Sequence, residues 1–186
     1  MVTDTLKLFE KIDTALEGCF EIQAKFRGDN RGSFVKTFHE ESFSQLGLCT
    51  EFKEMFCTTS AKNVLRGLHF QTPPCDHVKL VYCAFGKVMD VAVDLRKKSP
   101  TYGKFHAVEL DGEKGNMLYL PKGLAHGFLT LSDKAVIVYS LTSVYSPEHD
   151  KGILWSSCGI DWKISEPILS ERDKKHPHLK DFKSPF

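Results

Sequence analysis

The run Asn63-Val64-Leu65-Arg66-Gly67-Leu68-His69-Phe70-Gln71 sets a guanidinium and an imidazole on either side of one glycine, within residues that favour β structure. Together these two groups can hold an anionic substrate and remove a proton from it, the guanidinium binding phosphate and the imidazole acting as base. An ideal strand sends residues three apart to opposite faces. A bulge at Gly67 would instead bring Arg66 and His69 onto one face. A lone histidine in an apolar strand is also commonly a hydrogen-bonded structural residue, so from this run alone both readings stand.

The elements that must position these groups are mostly β. Lys79–Phe85 and Val88–Leu95 flank Gly86-Lys87 and predict a hairpin with a tight turn, with Met89, Val91, Val93 and Leu95 on one apolar face. Phe105–Leu110, Met117–Leu120, Phe128–Leu131 and Ala135–Thr142 follow as short strands, the last two joined at Ser132-Asp133-Lys134. Upstream, Cys19–Phe26 alternates as a half-buried strand, residues 27–32 turn the chain, Ser33–His39 resumes as a strand and Glu40–Leu46 offers a helical turn. Residues 3–16 read as a helix on the spacing of Leu6, Phe9, Ile12 and Leu16, or as a strand around Leu6–Ile12. Strands at this spacing predict an all-β antiparallel jelly roll with short peripheral helices. We expect one domain over residues 1–186, with an N-terminal extension (1–18) and a charged tail (165–186) packed on the barrel.

A jelly roll directs attention to Gly115, Pro121, Gly123 and His126, which stand in G-x5-P-x-G-x2-H. This resembles the second motif of the cupin superfamily, with Thr130 where an asparagine is usual. The first motif, with its H-x-H pair and glutamate, is missing around His69, which predicts a cupin without metal. His126 is then either a packed barrel histidine or a donor to a substrate oxygen.

Composition narrows the partners. A formal charge of +1 gives no reason to expect nucleic acid or a membrane surface, and no apolar stretch approaches the roughly 20 residues that span a bilayer. The six cysteines form no C-x-x-C pair and are expected to be reduced thiols of a cytoplasmic protein.

The ordered motifs Arg66–Gln71, Val88–Arg96, Ser99–Gly103, Leu120–Phe128, Gly152–Trp155, Gly159–Trp162 and Leu169–Asp173 closely resemble the dTDP-4-dehydrorhamnose 3,5-epimerase family, from about Phe20 to Asp173. The resemblance implies a homodimeric jelly roll that needs no cofactor and inverts C3, C5 or both in a nucleoside-diphosphate 4-keto-6-deoxy sugar. It implies His69 as base, Asp173 as its partner, Lys79 facing the keto oxygen and Tyr139 as the opposing acid. Arg66, Arg31 and Phe26 match positions that hold the diphosphate or base, and His126 and Tyr145 match further pocket positions. Two places depart from the family pattern: Lys36 stands where a glutamate is usual, and Glu54-Met55-Phe56-Cys57 replaces a Q-x-N element. These departures leave the nucleotide and the choice of carbons open.

The implied chemistry is coherent. A C–H beside a ketone is acidic only when the charge moves onto the carbonyl oxygen, so the base needs an oxyanion partner. Inversion needs a second group that returns the proton from the other face. Each residue also has a plainer reading: Lys79 as a solvated strand end, Tyr139 as a core aromatic, Asp173 as a helix cap. The competing functions are a 3,4-ketoisomerase of the same superfamily, a non-catalytic sugar-binding cupin and a metal-dependent dioxygenase.

Overall fold

The computed structural model describes residues 8–186. One antiparallel sheet runs in the order β1 (Phe9–Asp13), β2 (Phe20–Ala24), β10 (Asn116–Leu120), β7 (Lys79–Phe85), β12 (Lys134–Leu141), β5 (Glu54–Ala61). The second runs β13 (Asp150–Gly152), β6 (Leu65–Gln71), β11 (Leu124–Thr130), β8 (Lys87–Asp94), β9 (Phe105–Asp111). A separate hairpin, β3 (Phe26–Asp29) and β4 (Gly32–Val35), and one short helix, α1 (Glu40–Gln45), complete the jelly roll. The histidine Nδ1 of His39 caps α1 by accepting the Ser42 N–H, and Glu40 and Glu41 lie in its first turn, where the helix dipole favours negative charge.

Three apolar layers hold the sheets, because strands present alternate residues to opposite faces. Between the sheets lie Val81 and Cys83 of β7, Val88 and Ala92 of β8, Phe128 of β11, and Ile137 and Leu141 of β12. The outer face of the five-stranded sheet, with Leu68, Phe70, Val91 and Val93, is covered by the C-terminal tail through Trp162, Leu169, Phe182 and Phe186. On the outer face of the six-stranded sheet, Ile22, Leu80 and Met117 pack against Phe9, Phe43 and Leu48. Burial of each large side chain here contributes roughly 1.5–3 kcal/mol.

Of the two readings of the N-terminal segment the strand is the one found: residues 9–13 form β1 against β2, while Leu6 lies outside the described residues. Three other expectations change. The turn after β3 is confined to Asn30-Arg31, with Asp29 pairing opposite Gly32. No β7–β8 hairpin forms: β7 pairs with β10 and β12, and β8 with β9 and β11, so the chain crosses between sheets at Gly86. The left-handed backbone of Gly86 (φ +80°) supplies a tight turn, yet a turn residue cannot specify which strand takes up each edge. Finally, β5 and β13 were not anticipated. The inward positions of β5 include Thr58 and Ser60, so it lacks the apolar alternation that marks a half-buried strand.

Among the described residues no helix is long and apolar enough to cross a membrane. All six cysteines are free thiols.

Candidate active site

The bulge expected at Gly67 is present. His69 pairs with His126 and Arg66 with Phe128, so three steps along β6 match two along β11. Gly67 has φ +132°, and a Cβ there would lie 2.6 Å from the Gly127 Cα. Both glycines therefore permit the close passage of β6 over β11, and Arg66 and His69 line one open cavity of about 720 Å³.

His69 sits at the cavity wall with its Nε2 2.7 Å from Asp173 Oδ1. Asp173 arrives on the C-terminal tail, in a 3-10 turn (Asp173–Lys175). Its other oxygen accepts the Gly67 N–H at 3.2 Å, and its own N–H donates to Ser170 Oγ. Burial alone would raise the Asp173 carboxyl, but the nearby His176 ring, the His69 hydrogen bond and the Gly67 amide hold it far below the usual carboxylate range. An ionised carboxylate only accepts, so His69 carries its proton on Nε2 and its lone pair on Nδ1.

The opposite wall is the six-stranded sheet. Tyr139 of β12 is 5% exposed, stacks on Phe56 at 4.6 Å between centroids and shares a 3.2 Å hydrogen bond with Thr58. Burial pushes its phenol above the ordinary value, so at neutral pH it holds a proton. Lys79, on the adjacent β7, also lines the cavity. Burial pulls its ammonium down to about 8, partly offset by Asp90 and Asp150.

Arg66 is oriented by Nε donating to Ser60 Oγ at 3.0 Å, and Arg172 of the tail is tied to Asp150 at 2.7 Å. Among the described residues Arg66 and Lys79 form no ion pair, which leaves two cations on the wall without a carboxylate in direct contact. His126 is 4% exposed, and its Nε2 faces both oxygens of the fully buried Asp90 at 3.0 and 2.9 Å. It is thus a packed histidine and a cavity wall at once. Tyr145 lies at the cavity rim, its N–H donating to Glu54 at 2.6 Å.

Phe26 and Arg31 are not brought into this cavity. They lie on the β3–β4 hairpin, where Arg31 is 85% exposed and paired with Asp29 at 2.6 Å. Lys36 is likewise outside it, whereas Glu54 and Phe56 line it. Sequence reasoning missed Asp90, His77, Thr58, Arg172 and His176. Asp90 had a signal, a carboxylate inside the apolar run of β8; Thr58 had none. The Ser99–Gly103 motif proves structural: Ser99 and Thr101 each donate to the buried Asp94 at 2.6 Å, beside Arg96.

Against known proteins, the sequence profile of the dTDP-4-dehydrorhamnose 3,5-epimerase family matches residues 13–181. A dTDP-4-dehydrorhamnose 3,5-epimerase of Shigella flexneri is 43% identical over 165 residues, covering 87% of this chain and 91% of that one. The Legionella pneumophila epimerase RmlC, solved in complex with dTDP-4-keto-L-rhamnose, superposes with a TM-score of 0.89 at 36% identity, covering 94% of this chain and 95% of that one. ChmJ of Streptomyces bikiniensis, a 3'-monoepimerase solved with dTDP-quinovose, gives 0.86 at 33% identity, covering 91% and 87%.

Proposed function

The chain belongs to the dTDP-4-dehydrorhamnose 3,5-epimerase family, and we propose that it inverts C3, C5 or both of a dTDP-linked 4-keto-6-deoxy sugar without a cofactor. The observation that carries this reading is the 2.7 Å His69–Asp173 pair on one wall of a cavity whose opposite sheet presents Tyr139 and Lys79. His69 Nδ1 takes the proton beside the ketone. The anionic Asp173 stabilises the imidazolium that results. The electron pair moves onto the keto oxygen, where Lys79 supplies the opposing charge, and Tyr139 returns a proton from the other face. Arg66 binds the diphosphate, while His126, locked by Asp90, and Tyr145 shape the sugar pocket.

We further propose a cytoplasmic homodimer, with residues 1–186 acting as one epimerase domain. Edge strand β5 exposes Met55 (66%), and the β3–β4 hairpin exposes Phe34 (62%), apolar surface suited to a second copy. A partner hairpin would carry Phe26 and Arg31 to the cavity that their own chain leaves without them.

Proton NMR of a dTDP-4-keto-6-deoxy sugar incubated with the protein in deuterated water tests the reaction. Exchange at C3 and C5 is expected for a double epimerase and at C3 alone for a monoepimerase. A folded protein that binds the sugar and exchanges neither position would sink the proposal.

A further inference from the structure

A second histidine shares the carboxylate of Asp173. His176 Nε2 lies 3.6 Å from Asp173 Oδ1, its ring 5.6 Å from that of His69, centroid to centroid. His69, Asp173 and His176 each offer one ligand atom, and the three atoms lie within 4.8 Å of one another. The His176 Nε2 atom is buried and has no hydrogen-bond partner within ordinary reach. Space for this ring is built into the backbone: Gly152 pairs with His69 across β13 and β6, and a Cβ at Gly152 would fall 2.4 Å from His176 Nε2. The 3-10 turn and the Leu154 N–H donating to Pro177 O at 2.8 Å hold His176 over that gap.

We propose that His69 Nε2, Asp173 Oδ1 and His176 Nε2 form a binding site for a borderline-soft divalent ion, Zn²⁺ foremost, and that the bound ion inhibits the enzyme. Two imidazoles and one carboxylate suit Zn²⁺ or Co²⁺ and not Ca²⁺ or Mg²⁺, which take oxygen donors. Ligands of a tetrahedral ion with bonds of about 2.0–2.1 Å stand roughly 3.3 Å apart. The 2.7 Å His69–Asp173 contact therefore opens slightly and His176 moves inward. The Gly67 N–H on Asp173 Oδ2 fixes the carboxylate so that Oδ1 stays turned to both rings.

Inhibition follows from tautomer chemistry and rests on the epimerase reading. An ion on His69 Nε2 displaces the proton from that nitrogen, and the neutral ring then holds a proton on Nδ1. The lone pair needed for proton abstraction is gone, and no net proton is released by the ring.

The test uses the full chain, freed of metal with EDTA, with Zn²⁺ and Co²⁺ as probes. The exposed Cys57 is the most accessible of the free thiols, ahead of the partly buried Cys49 and Cys75, so a Cys57→Ser variant serves as background. Expected are one equivalent of Co²⁺ with visible bands and no thiolate charge-transfer band, and Zn²⁺ inhibition reversed by EDTA. His176→Ala and the closer isostere His176→Asn should each weaken both by at least about tenfold. Unchanged Co²⁺ binding in both variants, or loss of all Co²⁺ binding in Cys57→Ser, overturns the site. Epimerisation untouched by Zn²⁺ overturns the inhibition and keeps the epimerase. A His176-dependent Co²⁺ spectrum in a protein that never exchanges sugar protons keeps the site and overturns the epimerase.

Discussion

His69 is useful as a base only while Asp173 keeps its proton on the far nitrogen. Replacing His69 by Asn keeps a polar side chain in the wall but removes the base, and kcat should fall by about 10²–10⁴ with folding retained, as steady-state kinetics and circular dichroism would register. Lys79 makes a prediction with a sign. Its folded value near 8 lies below the ordinary 10.5, so between these values the unfolded chain binds more protons and stability rises with pH. The cost of burying the charge is thus fully present below about pH 8. Lys79→Met should raise the thermal midpoint at pH 7, flatten the pH dependence of stability between 8 and 10.5, and abolish turnover. In the wild type, activity should decline as pH passes 8 and the ammonium is lost. His77 acts at the acid end: burial, with Lys79 and His126 nearby, pulls it down to about 3 from 6.5. The unfolded chain binds the extra proton in that window, so stability falls as pH drops from 6.5 to 3. His77→Gln should remove that part of the loss in pH-dependent melting.

At the scale of elements, the site depends on where two strands pass close together. Gly67→Ala sets a Cβ 2.6 Å from the Gly127 Cα at a backbone angle that L residues avoid, with the obstructing atom in backbone that cannot rotate aside. A loss of at least about 2 kcal/mol is expected in urea denaturation, together with a loss of activity from the separation of Arg66 and His69. The tail is the other decisive element. Asp173 stands 104 residues from His69 in sequence, and Ile168 bridges to Val64 in parallel just before it. That bridge, with the Leu65 N–H donating to Ile168 O, registers the tail against β6.

The molecule as a whole leaves β5 and the β3–β4 hairpin with exposed apolar side chains, and leaves Phe26 and Arg31 off their own cavity. A Met55→Arg variant should shift the protein from dimer to monomer in size-exclusion chromatography with light scattering. Its kcat/KM should fall through KM, because the charge is placed on the outer side of β5, away from Tyr139 and Thr58. A wild-type monomer that retains full activity would refute the shared-site arrangement.

The sequence by itself determined the jelly roll, made a bulge at Gly67 available and, through its ordered motifs, pointed to seven of the residues that line the cavity, because strand alternation, glycine freedom and ordered motifs are local properties of the chain. It also carried the family. Tertiary structure alone decided that β7 and β8 part into different sheets, that polar β5 forms a cavity wall, that Asp90 locks His126, and that His176 joins His69 on one carboxylate. Each of these depends on which distant edge or side chain fills a space, and no periodicity or turn residue encodes that choice. The placement of Phe26 and Arg31 follows the same rule: the family resemblance matched them to a pocket, while the chain path set them on a hairpin outside the cavity of their own chain.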